Sequence, residues 1–170
     1  MKKIITALVI TALLSTTEAG LSQPESILAV NIKNSAKISS EGVKKINSPY
    51  INARAKRIFS KAFQNVSNET WFLVPGGYIA NFLDDGVDYR VIFNAEGKQE
   101  YTQLIYSEDK LPFEIRDMVR SQYYDNDIRY CSEYRLRDRK IYAIKMTSNN
   151  FPETTMLKIE NGEMTEIPWQ

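Results

Sequence analysis

Two apolar stripes sixty residues apart constrain this chain more than anything else in it. Ile51, Ala55, Ile58, Phe59 and Phe63 recur at the spacing of one helix face. Leu111, Ile115, Met118, Val119 and Tyr123 repeat that spacing sixty positions later. After each stripe the period drops to two. The first alternating runs cover 70–74, 78–83, 87–94 and 98–106, parted by Pro75-Gly76-Gly77, Asp84-Asp85-Gly86 and Ala95-Glu96-Gly97. The second set covers 129–136, 140–147, 154–160 and 163–167, parted by Arg137-Asp138-Arg139, Ser148 to Pro152 and Asn161-Gly162. Glycine in these turns accepts positive φ at little cost, which favours tight hairpins. The pattern predicts an α+β chain of two helix-plus-four-strand antiparallel meanders, 48–106 and 107–170, in one structural domain.

Alternation gives each sheet a dry face and a wet face. Tyr78, Ala80 and Phe82 share the dry face with Tyr89, Val91 and Phe93, and the first helix stripe is expected there. Tyr142, Ile144, Met146, Leu157 and Ile159 take that part in the second unit. Trp71 is expected to close the first core. Cys131 stands sixty positions after Trp71 and reads as a buried structural thiol. Ser48-Pro49 reads as a helix start, with a capping serine and a proline in the first turn.

Composition removes several chemistries. The chain has no histidine and one cysteine, which excludes Ser-His-Asp and Cys-His catalysis, His-containing zinc sites and internal disulfides. Asp125-Asn126-Asp127 fails as a calcium loop, because Tyr130 and Leu136 stand where an EF-hand needs Gly and Glu. It reads instead as the polar end of the second helix. No catalytic residue, cofactor site or metal site is indicated.

Lys2 and Lys3, an apolar run from Ile4 to Leu14, and Thr17-Glu18-Ala19 read as a secretory signal peptide over 1–19. The run is short of the ~20 residues a membrane span needs. Residues 20–47 are polar apart from Ile27 to Ile32 and read as a flexible leader. Cleavage leaves twenty basic and twenty acidic residues. A scattered, neutral charge set argues against nucleic acid and anionic membrane surfaces. A periplasmic or secreted monomer, not inserted in the membrane once cleaved, is expected.

The Trp near the first strand, the "GGYIANF" and "DGVDYRVIFNAEGK" stretches and Leu111-Pro112 opening the second helix together resemble the PepSY-like proteins of bacterial envelopes. Those are grouped with the β-lactamase inhibitory protein by fold. The resemblance spans about Ile51 to Ile167. It implies one curved antiparallel sheet with both helices on the convex side and a concave face for a partner. It supplies no catalytic residues, and no inhibitory loop matches residue by residue. On the sheet face opposite the helices the alternation places Ile79, Asn81, Asp88, Arg90, Ile92 and Tyr101. It places Lys145, Met156 and Lys158 there in the second unit. Mixed polar and apolar side chains on a broad sheet suit a protein interface. The expected role is a non-enzymatic binding or inhibitor-like module for an envelope protein. The alternative is a small-ligand or carbohydrate carrier using tyrosines such as Tyr101, Tyr106, Tyr130 and Tyr134.

Overall fold

The computed structural model describes residues 42–148 and 154–168. The signal-peptide reading, the Ile27 to Ile32 patch and most of the Ser148 to Pro152 connection fall outside the described residues. Among the described residues nine strands and two helices follow in order: β1 Lys44–Ile46, α1 Ala53–Ala62, β2 Thr70–Val74, β3 Gly77–Asp84, β4 Val87–Asn94, β5 Gln99–Tyr106, α2 Phe113–Gln122, β6 Asn126–Arg135, β7 Lys140–Ser148, β8 Thr154–Glu160 and β9 Glu163–Ile167. All nine strands form one sheet in sequence order, each antiparallel to the next.

The helix start differs from expectation. Ser48–Tyr50 is a single 3-10 turn, and α1 begins after Asn52, whose side chain accepts from the N–H groups of Arg54 and Ala55. Asn is as good a cap as Ser, and the Ser48-Pro49 signal belonged to the tighter turn that precedes it. The second helix repeats the arrangement: a 3-10 turn at Glu108–Lys110, then α2 from Phe113. Lys61 and Arg120 stand in the last turns, where a cation suits the helix dipole. Asp125-Asn126-Asp127 is not helical. The helix has ended at Gln122, and Asn126 and Asp127 open β6 opposite Ser148 and Thr147. The stretch read as leader also changes at its end: Lys44–Ile46 pairs with Trp71–Leu73 as an edge strand.

Register places both helices on the same face. Directly paired residues in a sheet share a face. Phe82, Tyr89, Leu104, Glu133, Tyr142, Ile159 and Met164 are paired in series from β3 to β9. Ala55 and Phe59 of α1 pack with Trp71, Ala80, Phe82, Val91 and Phe93. Val119 of α2 packs with Leu104, Cys131, Tyr142, Ile144, Met146, Leu157 and Ile159. Tyr89 lies against both clusters. Trp71 stacks on Phe93 with centroids 5.5 Å apart and meets Phe59 edge-on at 5.4 Å. Each such buried side chain contributes ~1.5–3 kcal/mol before entropy is set against it.

The turn after β4 explains why Asn94 to Lys98 reads so specifically. The Asn94 side chain accepts from the Lys98 N–H, and Asn94 exchanges backbone bonds with Gly97 and Lys98. Gly97 sits at φ 74, and a Cβ there would lie 2.5 Å from Asn52 Oδ1. The turn is therefore docked on the capped start of α1, and Asn52 Nδ2 also donates to the Ala95 carbonyl at 3.4 Å. Across the middle of the sheet, Lys110 reaches Asp85 at 2.6 Å. Arg120 holds Glu108 through two nitrogens and donates to the Asn126 carbonyl. These contacts tie the 3-10 turn before α2 to the β3–β4 turn, and α2 to that 3-10 turn and to β6.

Candidate functional site

The face opposite the helices is built from four cross-strand rows. The first is Phe72, Ile79, Ile92 and Tyr101 over β2 to β5. The second is Thr70, Asn81, Arg90, Gln103, Tyr134, Ile141 and Glu160. The third is Leu83, Asp88, Ile105, Ser132, Ala143 and Lys158. The fourth is Tyr130, Lys145, Met156 and Ile167. All nine residues singled out in the sequence, Ile79, Asn81, Asp88, Arg90, Ile92, Tyr101, Lys145, Met156 and Lys158, lie in these rows. No described helix lies on this face.

The two halves of the face differ. On β2 to β5 the four members of the apolar first row are all half-buried. Beside them Arg90 pairs with Asp88 at 3.4 Å. Asn81 Oδ1 and Arg90 Nε, on directly paired residues, are buried without a hydrogen-bond partner. On β6 to β8 the face is closed. Tyr134 is 1% exposed, and Ile141, Ala143 and Met156 are buried with it. Met156 at 4% is therefore not offered to solvent as its neighbours Lys145 and Lys158 are. Gln103 is buried here too, donating to Ser132 Oγ at 3.4 Å and Tyr134 Oη at 3.2 Å. Burial pushes the Tyr101 hydroxyl up to about 12. Lys145 sits 5.7 Å from the Tyr130 ring centroid, a cation–π contact, and Lys158 pairs with Glu160 at 2.6 Å.

A second polar centre was not read from the sequence. Glu133 lies on the helix side of β6, between Leu104 and Tyr142, and is only 3% exposed. Tyr106 Oη donates to its Oε2 at 3.0 Å, and Arg135 Nε donates to its Oε1 at 2.7 Å. Lys140 Nζ stands 3.7 Å away. Burial first, and the Glu133 charge second, push the Tyr106 hydroxyl far up. The bond to Glu133 raises Arg135. The signal was present as an acidic residue at an inward-facing position of an alternating strand. It was masked by the neighbouring Ser132 and Tyr134, which made the run look polar on both faces. Beside Arg135 a cleft of 410 Å³ opens on the helix side, with Phe63 and Tyr89 among its walls.

Cys131 is fully buried and unpaired, and its thiol is pushed up to about 12 by burial. Of the tyrosines considered as anchors, Tyr106 and Tyr134 are buried, while Tyr101 and Tyr130 are half-buried on the face opposite the helices. Among the described residues no group of three or more Cys, Asp or Glu side chains is placed to hold a metal ion. No described helix is long and apolar enough to cross a membrane.

No family model matches the sequence, and no curated protein matches it. Solved structures do. A DUF2874 family protein from Bacteroides ovatus superposes with a TM-score of 0.59 at 19% identity, covering 68% of this chain and 87% of its own. A protein from Bacteroides eggerthii, named as an inferred periplasmic protein, gives 0.58 at 16%, covering 69% and 90%. A DUF2874 family protein from Bacteroides uniformis gives 0.57 at 15%, covering 67% and 88%. What this chain shares with them is the fold: an open antiparallel sheet carrying two helices.

Proposed function

We propose that this is a non-enzymatic protein of the bacterial periplasm that binds another envelope protein through the β2–β5 half of the face opposite the helices. The observation that carries the reading is the row Phe72, Ile79, Ile92 and Tyr101. Four large apolar side chains stand side by side, half-buried, where no described helix covers them. Apolar area left in water costs about 25 cal/mol per Å², and contiguous patches of this kind mark interaction surfaces. Arg90 and Asp88 supply a charged rim beside the row, as protein interfaces do. The periplasmic assignment is supported by the signal-like first nineteen residues and by the inferred location of the Bacteroides eggerthii protein.

The same reading takes the chain as a tandem pair of PepSY-like units fused through β5 and β6. In its favour, each 3-10 turn and each ten-residue helix recurs sixty positions later, at Ser48–Tyr50 and Glu108–Lys110, then Ala53–Ala62 and Phe113–Gln122. The carbohydrate alternative has less to rest on, since Tyr106 and Tyr134 are too buried to stack on a sugar. Replacing Arg90 and Ile92 together, as Arg90→Glu with Ile92→Asp, tests the interface. Both side chains lie on the open half of the face, so the variant should keep its fold and lose its partner. A partner held equally well by the variant would remove the support for this surface.

A further inference from the structure

We propose a second binding site, on the helix side of the sheet, for a small zwitterion with an apolar side chain: a free apolar amino acid or a short peptide. The cleft of 410 Å³ lies over β4 to β6 beside the end of α1, within the ~300–1,000 Å³ range of small-ligand sites. Phe63 and Tyr89 form an aromatic wall, their ring centroids 6.3 Å apart. Arg135, Arg137, Gln99 and Glu100 also line it.

The backbone shows why two successive polar side chains meet this cleft. Ile92 pairs with Tyr101 but Phe93 pairs with Gln99, so Glu100 is the extra residue of a β-bulge. A bulge re-aims side chains that would otherwise alternate. Here it brings Gln99 and Glu100 to the same cleft, with Gln99 Nε2 anchored on Thr102 Oγ1 at 3.1 Å. The adjoining stretch of β6 and the turn after it supply cations. Arg135 uses Nε and Nη2 on Glu133, which leaves Nη1 without a hydrogen bond among the described residues. Among those residues neither Arg137 nor Glu100 forms an ion pair.

A cleft with an unpaired cation, an unpaired anion and an aromatic wall matches a molecule with the inverse of each. The guanidinium groups of Arg137 and Arg135 receive a carboxylate. Glu100 receives an ammonium group, and Phe63 and Tyr89 receive the apolar side chain. Glu133, buried behind Arg135, holds that guanidinium in place and is a positioning residue.

Titration calorimetry and amide chemical-shift mapping with the dipeptide phenylalanyl-leucine test this on the full chain. Saturable binding is expected, with shifts confined to 99–103 and 135–137 and the end of α1. Acetylating the amine or amidating the carboxylate should each weaken binding about fivefold, equivalent to ~1 kcal/mol for an exposed charge pair. Arg137→Ala should shrink the difference between free and amidated carboxylate to the share that Arg135 holds, and leave the amine effect. Glu100→Gln should remove the amine effect and leave the carboxylate effect. Both side chains are exposed, so the variants keep their melting temperature. No saturation by roughly 10 mM, equal binding of the blocked peptides, or shifts on the opposite face would overturn the proposal.

Discussion

Phe93 shows how much a single side chain carries in this protein. It is 1% exposed and stacked on Trp71 at the centre of the first core. Phe93→Ala should cost about 3–5 kcal/mol, read as a fall in the urea midpoint with little change in slope. Gly97 is limited by geometry instead. At φ 74, with Asn52 Oδ1 in the way of a Cβ, Gly97→Ala should lose ~1–2 kcal/mol from backbone strain alone. Asn52→Ala should lose ~1 kcal/mol as a missing cap. The two residues share one contact, so the double variant should cost less than the separate losses together; simple additivity in denaturant melts would argue against the docked turn. Residue-level packing was legible, because alternation marks the dry positions Ala80, Phe82, Val91 and Phe93 without a structure. Glu133 was not, because its burial depends on Tyr106 and Arg135, partners from two different positions in the sheet.

At the scale of elements, strand boundaries followed from glycine-bearing turns. Asp85-Gly86 and Asn161-Gly162 each put two successive residues at positive φ, the geometry of a tight hairpin. Helix starts were less legible. A 3-10 turn and an α-helix use the same capping residues and proline, so Ser48-Pro49 could not say which followed. The edge strand Lys44–Ile46 was hidden by its two lysines, which read as a solvated leader although charge is also how an edge strand avoids pairing with another chain. The tyrosines on these elements also predict a response to alkali. Burial raises Tyr101 to about 12, the bond to Glu166 raises Tyr123 to about 12, and burial raises Tyr142. A folded-state pKa above the unfolded value near 10 means the neutral tyrosine favours folding. That contribution is complete below pH 10 and disappears as pH rises towards 12. Melting temperature should therefore be insensitive to these groups below pH 10 and fall above it, with Tyr101→Phe showing a shallower decline. An equally steep decline in that variant would mean Tyr101 is not held by burial.

For the whole molecule, both helices on one face leave the other face to its own side chains. That division follows from register, since one unbroken series of pairs runs from Phe82 to Met164. The nine candidate residues could be assigned to one face from period-two alternation. Which of them stay available could not, because the burial of Met156 and Tyr134 is a property of the assembled sheet. The proposed interface is therefore the β2–β5 half of that face. Site-specific photocrosslinking in living cells addresses it most directly, with the photoreactive side chain at Ile79 or Ile92, and at Arg57 on the exposed side of α1 as the reference. The expected result is one protein partner captured from Ile79 and Ile92 and absent from Arg57. Capture from Arg57 alone, or a crosslink from Ile79 and Ile92 only to residues 20–41 of the same chain, would contradict it.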